Sequence, residues 1–225
     1  MDINSLEKEY LGNVALHYDK ERIKSKKFTA EQTLVKHLLE KMPNHSKIID
    51  VPVGTGRFIE LYKQLNFSPV GLDVSTDMLN IAIEKAKSLN FTMPLKKGNI
   101  LNIESEDNSF DIALSICFFN WVSIENATKA LAELKRVSRR YIIISIRYFT
   151  PIDELNLLTP YGFFHFMLRP AASIKKLISN KALIIHKKTD VLNMFRRLNL
   201  TVISSERVEH RKYGTDYFIF TLEKT

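Results

Sequence analysis

The stretch Ile49-Asp50-Val51-Pro52-Val53-Gly54-Thr55-Gly56-Arg57-Phe58 decides how the rest of the chain is read. The apolar run Lys47 to Val53 predicts a short buried strand, and Arg57 to Leu65 predicts a helix. Between them, two glycines let the backbone turn sharply and come close to a ligand. The helix end behind that turn would offer free N–H groups and a positive dipole end to a carboxylate or phosphate. Nineteen residues after Gly54, Asp73 lies near the end of a second strand, Ser68 to Val74. An acid at that distance, on the adjacent strand end, is placed for ribose hydroxyls. The loop departs from the G-x-G-x-x-G dinucleotide pattern, because Pro52 stands at the first glycine position and Phe58 two past Gly56. That departure argues against a pyrophosphate-bearing cofactor.

Working outward, a helix is predicted from Thr76 to Leu89 with Ser75 as its N-cap, then a weaker strand from Thr92 to Lys97. Phe110 to Ile116 reads as a strand, Asn126 to Val137 as a helix, and Tyr141 to Arg147 as a strongly apolar strand. Strands alternating with helices imply right-handed crossovers and a parallel, doubly wound α/β sheet. Upstream, residues 4–24 read as a polar helical extension. A helix follows at about 29–42, with Thr29 and Gln32 as a capping box and Pro43 as its stop. Downstream, residues 148–188 read as an irregular or helical insertion over the sheet edge, followed by a helix at 189–198. Two β-rich runs, Leu200 to Val208 and Asp216 to Leu222, flank a turn-like stretch containing Gly214 and suggest an antiparallel hairpin.

The chain of 225 residues suits one domain spanning 1–225, with a helical cap at 1–28 and a lid at 148–188. Hydrophobic residues make up 45% and charged residues 26%, and no apolar run reaches the roughly 18 residues needed to span a membrane. The first ten residues lack a basic region followed by an apolar one, so no secretory signal is read. The single cysteine, Cys117, excludes an internal disulfide framework and a multi-cysteine zinc site; no metal is expected, and a reducing cytoplasm is the default compartment. Charge is uneven. Residues 1–134 carry 16 Lys+Arg against 18 Asp+Glu, and residues 135–225 carry 17 against 7. The basic half is compatible with an anionic partner such as a phosphorylated glycan, a nucleic acid or a lipid headgroup, or with solvated lysines on helix faces.

The ordered series DVPVGTGRF, GLDVS, KGNI, FDIALSICFFNWV, ALAELKRV and YIIISI resembles class I methyltransferases of the small-molecule type, over roughly residues 18–147. The resemblance implies a Rossmann-like seven-stranded sheet whose last strand is antiparallel. It implies S-adenosylmethionine as methyl donor and S-adenosylhomocysteine as product. It places Asp50, Val51, Pro52, Gly54 and Gly56 around the methionine part of the cofactor and Asp73 on the ribose. Val74 and Met78 would flank the adenine, with Asn99 and Ile100 beside it. Asn99 stands where the family often has Asp; it keeps an acceptor oxygen and removes a charge. Ser115 to Asn120 would line the cleft beside the sulfonium. Tyr18 and Arg22 resemble an N-terminal element that covers the cofactor in some relatives. Between Val137 and Tyr141, the family's frequent Pro-Gly-Gly turn is replaced by Ser138-Arg139-Arg140, which predicts a different turn.

Methyl transfer from a sulfonium is an in-line displacement, so the protein mainly aligns the reactants and excludes water. A base is needed only where the acceptor carries a proton at attack. The candidates are His165 and His186, although a structural role is the plainer reading of a lone histidine. Phe118, Asn120, Trp121 and Arg169 are candidates for acceptor contact, with core or lid packing as the plainer role of the aromatics. The reading is therefore O- or N-methylation of a small molecule or glycan. An RNA or protein methyltransferase using the basic C-terminal region, and a non-catalytic cofactor-binding protein, stand as alternatives. Against the first, no Asn-Pro-Pro-Tyr or Asp-Pro-Pro-Tyr element follows the fourth strand and no RNA-binding appendage is recognisable.

Overall fold

The computed structural model describes residues 25–149, 183–211 and 215–225. Tyr18, Arg22, His165, Arg169, nearly all of the 1–28 cap and residues 150–182 of the lid lie outside the described residues.

The elements run α1 (Lys26–Glu40), β1 (Lys47–Asp50), α2 (Ile59–Gln64), β2 (Ser68–Asp73), α3 (Thr76–Ser88), β3 (Leu95–Lys97), β4 (Phe110–Ser115), α4 (Ile124–Val137), β5 (Ser138–Phe149), β6 (His186–Lys187), α5 (Lys188–Arg197), β7 (Leu200–Arg211) and β8 (Thr215–Lys224). The strand order is β3-β2-β1-β4-β5-β8-β7, with β6 pairing beside β5. Strands β1 to β6 pair in parallel, whereas β8 runs antiparallel to both β5 and β7. The doubly wound sheet and its antiparallel last strand follow the expected plan. The two-residue β6, laid against Tyr148 and Phe149, adds an eighth strand to the seven implied.

The core has two halves because the sheet is covered on both faces. On one face α1, α2 and α3 bury Val35, Leu39, Ile59, Tyr62 and Ala82 against Ile48, Leu114, Ile143 and Ile219. On the other, α4 and α5 bury Leu131, Leu134, Val191 and Phe195 against Ile49, Ala113, Ile142, Ile144 and Phe220. Alternate residues of β5 thus serve opposite halves, as a strand's period of two requires.

Local departures have local causes. Helix α1 begins at Lys26 with Ser25 as N-cap and no side-chain cap bond, so Thr29 lies inside the helix and the expected capping box does not form. The Ser75 cap does form, its side chain accepting from the Met78 N–H, and Ser123 caps α4 the same way. Ser138-Arg139-Arg140 continues β5 instead of turning. Arg139 pairs with Asp111 at 3.2 Å and Arg140 with Glu223 at 2.7 Å, so neighbouring strands hold these polar residues extended. No helix among the described residues is long and apolar enough to cross a membrane.

Candidate active site

Strand β1 has β2 on one side and β4 on the other. Strand order reverses there, leaving a crevice beyond the carboxyl ends of the strands where ligands of open α/β sheets bind. Its walls are the loop after β1, the turn after β2 and the turn after β4.

The β1 loop is held by backbone bonds to both neighbours: the Val51 N–H donates to Leu114 O at 3.0 Å and the Val53 N–H to Leu72 O at 2.8 Å. The Val51–Pro52 bond is cis. Gly54 and Gly56 both adopt left-handed φ values, +55° and +73°, as the glycine reading requires. They differ in surroundings. A Cβ built on Gly54 meets nothing within 4 Å, so open space lies over this residue. A Cβ on Gly56 would lie 2.4 Å from Ile59 Cδ1 and 3.1 Å from Ala82 Cβ, so Gly56 allows the loop to pack on α3.

Asp73 organises the loop. Its Oδ2 accepts the Gly54 N–H at 2.8 Å and its Oδ1 the Ser75 N–H at 2.9 Å, so one buried carboxylate pins the β1 loop and the start of α3 together. Burial pushes its carboxyl above the ordinary range, opposed by the N–H bonds from Ser75, Gly54 and Val74. The expected helix-end anion site is not built this way. Helix α2 starts only at Ile59 and has six residues, because turns continue past Gly56, whose own N–H bonds to Val53 O.

Asp50 sits fully inside the protein, its Oδ2 accepting from the Tyr62 hydroxyl at 2.8 Å. Burial, with Asp73 adding a like charge, pushes its carboxyl up to about 7 against the Tyr62 bond and Arg57. The native state therefore keeps a proton there that the unfolded chain loses above about pH 4. The stability that Asp50 contributes is fully present below about pH 4, falls as pH rises to about 7 and is level above. Asp50→Asn keeps an acceptor for Tyr62 and removes that slope. The variant's unfolding free energy should exceed the wild type's at pH 8, with a ceiling of about 4 kcal/mol for a shift of about three units. The difference should shrink toward pH 4; urea titrations at both pH values check it, and an equal difference at both would refute it.

The other expected residues fall as follows. Val74 is partly buried against the core, while Met78 and Ile100 are buried. Asn99 uses its Oδ1 on the Leu101 N–H at 2.9 Å, closing its own turn; that oxygen retains one further lone pair. Ser115 is fully buried, and its Oγ has no hydrogen-bond partner among the described residues. Phe118 belongs to the core with Phe119, their rings edge-on at 5.5 Å, and Trp121 packs against the same cluster. The aromatics of this turn thus form its wall.

Asn120 ties that wall to the strand beside it. Its Oδ1 accepts the Arg147 N–H at 2.7 Å, and its carbonyl accepts the Ile184 N–H at 2.8 Å. His186, buried on β6, places Nε2 2.8 Å from Phe119 O. A carbonyl accepts only, so Nε2 carries a proton and the acceptor nitrogen of the neutral ring is Nδ1. The imidazole therefore ties β6 to the turn after β4, and only Nδ1 is left to act as a base.

Sequence reading missed a second polar group beside the crevice. Arg57 donates Nε to Gln32 at 2.7 Å and Nη2 to Phe28 O at 2.6 Å, and pairs through Nη1 with the buried Glu31. Glu31 also takes the Tyr217 hydroxyl, and Cys117 Sγ lies 3.2 Å from its Oε1. Burial works to raise the Glu31 carboxyl, but Arg57, the Tyr217 hydroxyl and Lys27 together hold it below the ordinary range. Arg147, fully buried on β5, lies 4.8 Å over the Tyr217 ring. The sequence signal for Glu31 was an acid on the apolar side of α1, four residues before Val35.

Residues 48–140 match a family profile described as a methyltransferase domain. This segment is similar to methyltransferase domains. The full chain superposes on magnesium protoporphyrin IX methyltransferase from Synechocystis PCC 6803 with bound S-adenosylhomocysteine, at a TM-score of 0.72, 14% identity and 100% coverage of both chains. At that identity the likeness speaks to the fold. In sequence the chain is 31% identical over 111 residues to malonyl-[acyl-carrier protein] O-methyltransferase of Pectobacterium atrosepticum, covering 48% of this chain and 42% of the relative. It is 32% identical over 117 residues to the ubiquinone/menaquinone biosynthesis C-methyltransferase of Campylobacter jejuni, covering 48% and 46%. The chain thus spans less than half the length of these curated relatives. The matched segment holds the β1 loop, Asp73 and the β4 turn, whereas Glu31, Ser145 and Tyr217 lie outside it.

Proposed function

We propose that this chain binds S-adenosylmethionine in the crevice between the β1 loop and the β4 turn and methylates a small molecule. The observation that carries the reading is Asp73, which pins Gly54 beneath open space while standing at a strand end where ribose hydroxyls are received. The residues present fit that donor. Gly54 would lie under its methionine part, Asp73 would take the ribose, and Val74, Asn99 and Ile100 would border the adenine. Ser115 Oγ, buried without a partner among the described residues, is a polar atom that a bound ligand would satisfy. Tyr18 and Arg22 remain assigned to covering the cofactor by family resemblance.

The donor supplies a methyl group already activated on a sulfonium, so the chain's own task is alignment and exclusion of water. Phe118, Phe119 and Trp121 build an apolar wall, and Asn120 fixes it to β5 and to the incoming lid. Where the acceptor bears a proton, His186 Nδ1 or His165 would take it. We assign the acceptor to the small molecules or glycans, with O or N as the atom methylated, and the work to the cytoplasm. The exposed Lys187 and Lys188 at the end of the lid favour an anionic acceptor, with Arg169 proposed beside it.

Supplying the protein with methyl-labelled S-adenosylmethionine and separated cell fractions tests this. Label is expected in low-mass material or glycans. Label confined to RNA or protein would overturn the acceptor class, and calorimetric binding of S-adenosylhomocysteine without label anywhere would favour a binding protein. NAD and NADP should give no thermal shift comparable to that of S-adenosylhomocysteine, because the loop lacks the spacing that receives a pyrophosphate.

A further inference from the structure

Two walls of the crevice meet at one carboxylate. Arg57 lies in the loop after β1 and Cys117 in the turn after β4, and both reach Glu31 of α1. Cys117 adopts a left-handed φ of 69°, unusual for a non-glycine residue and a mark of a conformation held by its surroundings. What holds it is visible. Its N–H donates to Ser145 Oγ at 2.7 Å, and its Sγ lies 3.2 Å from Glu31 Oε1 and 3.5 Å from the Tyr217 oxygen. Tyr217 and Ser145 oxygens are 2.7 Å apart. The phenol has one proton and gives it to the Glu31 carboxylate, so the Ser145 hydroxyl donates to the phenol oxygen. A directed chain results, from the Cys117 N–H through Ser145 and Tyr217 to Glu31, and from Glu31 across to Arg57 in the opposite wall.

We propose that Glu31 is a positioning residue that couples the cofactor loop to the acceptor-side turn, so that filling one wall of the crevice fixes the conformation of the other. The inference rests on the proposed cofactor reading. Arg57 follows Gly56 directly, so a ligand that orders the loop orders the guanidinium. The guanidinium orients Glu31, and Glu31 with Tyr217 sets the Cys117 turn. Charge makes the link directional. A buried carboxylate that accepts from Arg57, Tyr217 and Cys117 together loses a partner it needs whenever one of them moves.

Cys117 is the chain's one thiol and serves as the reporter. Its alkylation by iodoacetamide is followed with and without saturating S-adenosylhomocysteine, alongside calorimetry for that ligand and a thermal midpoint. In the wild type the ligand should slow alkylation at least fivefold. Glu31→Gln keeps an acceptor for Tyr217 but turns an amide donor or a neutral oxygen toward Arg57. It should still bind the ligand and lose most of the protection. Tyr217→Phe removes only the hydroxyl between Glu31 and Ser145, and should lose protection with the fold and the Arg57 pair intact. Should Glu31→Gln fail to fold, Tyr217→Phe decides alone. Full protection retained in the folded variants, or none in a wild type that binds the ligand, overturns the coupling. A wild type that does not bind S-adenosylhomocysteine at all instead overturns the cofactor reading beneath it.

Discussion

Asp73→Ala should weaken S-adenosylhomocysteine binding by roughly three orders of magnitude, about 4 kcal/mol. Two losses add. The ribose hydroxyls lose a charged acceptor, a loss on the order of 1.5–3 kcal/mol. The Gly54 and Ser75 N–H groups also lose theirs, so the β1 loop and the start of α3 are no longer held in register before the ligand arrives. Ordering them then draws on binding energy. Asp73→Asn separates the two effects. Its single oxygen can serve one N–H while its amide group faces the other, so it should fall between wild type and alanine. Calorimetry on the three proteins, with circular dichroism to confirm folding, is the check. Alanine binding within threefold of wild type would remove Asp73 from the site.

Gly56→Ala should damage the fold more than any other single change in the loop. The residue stands at φ +73°, where a side chain costs about 1–2 kcal/mol. Its Cβ would also press on Ile59 Cδ1 at 2.4 Å and Ala82 Cβ at 3.1 Å. The Ile59 methyl can swing aside, but Ala82 is fixed to α3, and overpacking of this kind adds about 1–3 kcal/mol. A fall in thermal midpoint of roughly 5–15 °C is expected for a domain of this size. Gly54→Ala provides the contrast. It carries the backbone cost without the collision, so it should melt closer to wild type while its methyl group intrudes on the open space over the loop. If the two variants melt alike, the difference in packing between these glycines has no energetic consequence.

These contrasts show what a sequence can disclose. The left-handed turns at Gly54 and Gly56 and the strand-end place of Asp73 were legible because local rules govern them: a glycine at a strand-to-helix turn, an acid at the next strand end. Ser75 was legible as a cap for the same reason. The polar start of β5 was not, since Ser138-Arg139-Arg140 has turn composition and is extended only because Asp111 and Glu223 on neighbouring strands receive its arginines. Phe118 stood as a candidate for acceptor contact beside its plainer role in the core, because aromaticity alone does not tell a wall from its inner packing. Glu31 showed locally only as an acid on the apolar side of α1, with nothing to mark it as part of a site. Its partners Arg57, Cys117 and Tyr217 lie 26, 86 and 186 residues away, and no local pattern announces a carboxylate whose neighbours are assembled by the sheet.

The place of β8 has a consequence in time. It follows β7 in the chain yet lies between β7 and β5. A polypeptide emerging from the ribosome therefore exposes β7 before β8, the strand it pairs with, has been made, and the β1–β2–β4–β5 part of the sheet can assemble first. Only when residues 215–224 arrive can β7 be stitched on, by pairings on both sides of β8. Tyr217 arrives with that strand, and it closes a contact to Glu31 across 186 residues. Such a non-local closure is a slow kind of folding step, because loop-closure entropy is spent before the contact forms. The nascent protein thus has the elements of the proposed cofactor pocket in hand before the proposed clamp that joins the two walls, and a ligand present during synthesis would meet the half-built pocket first.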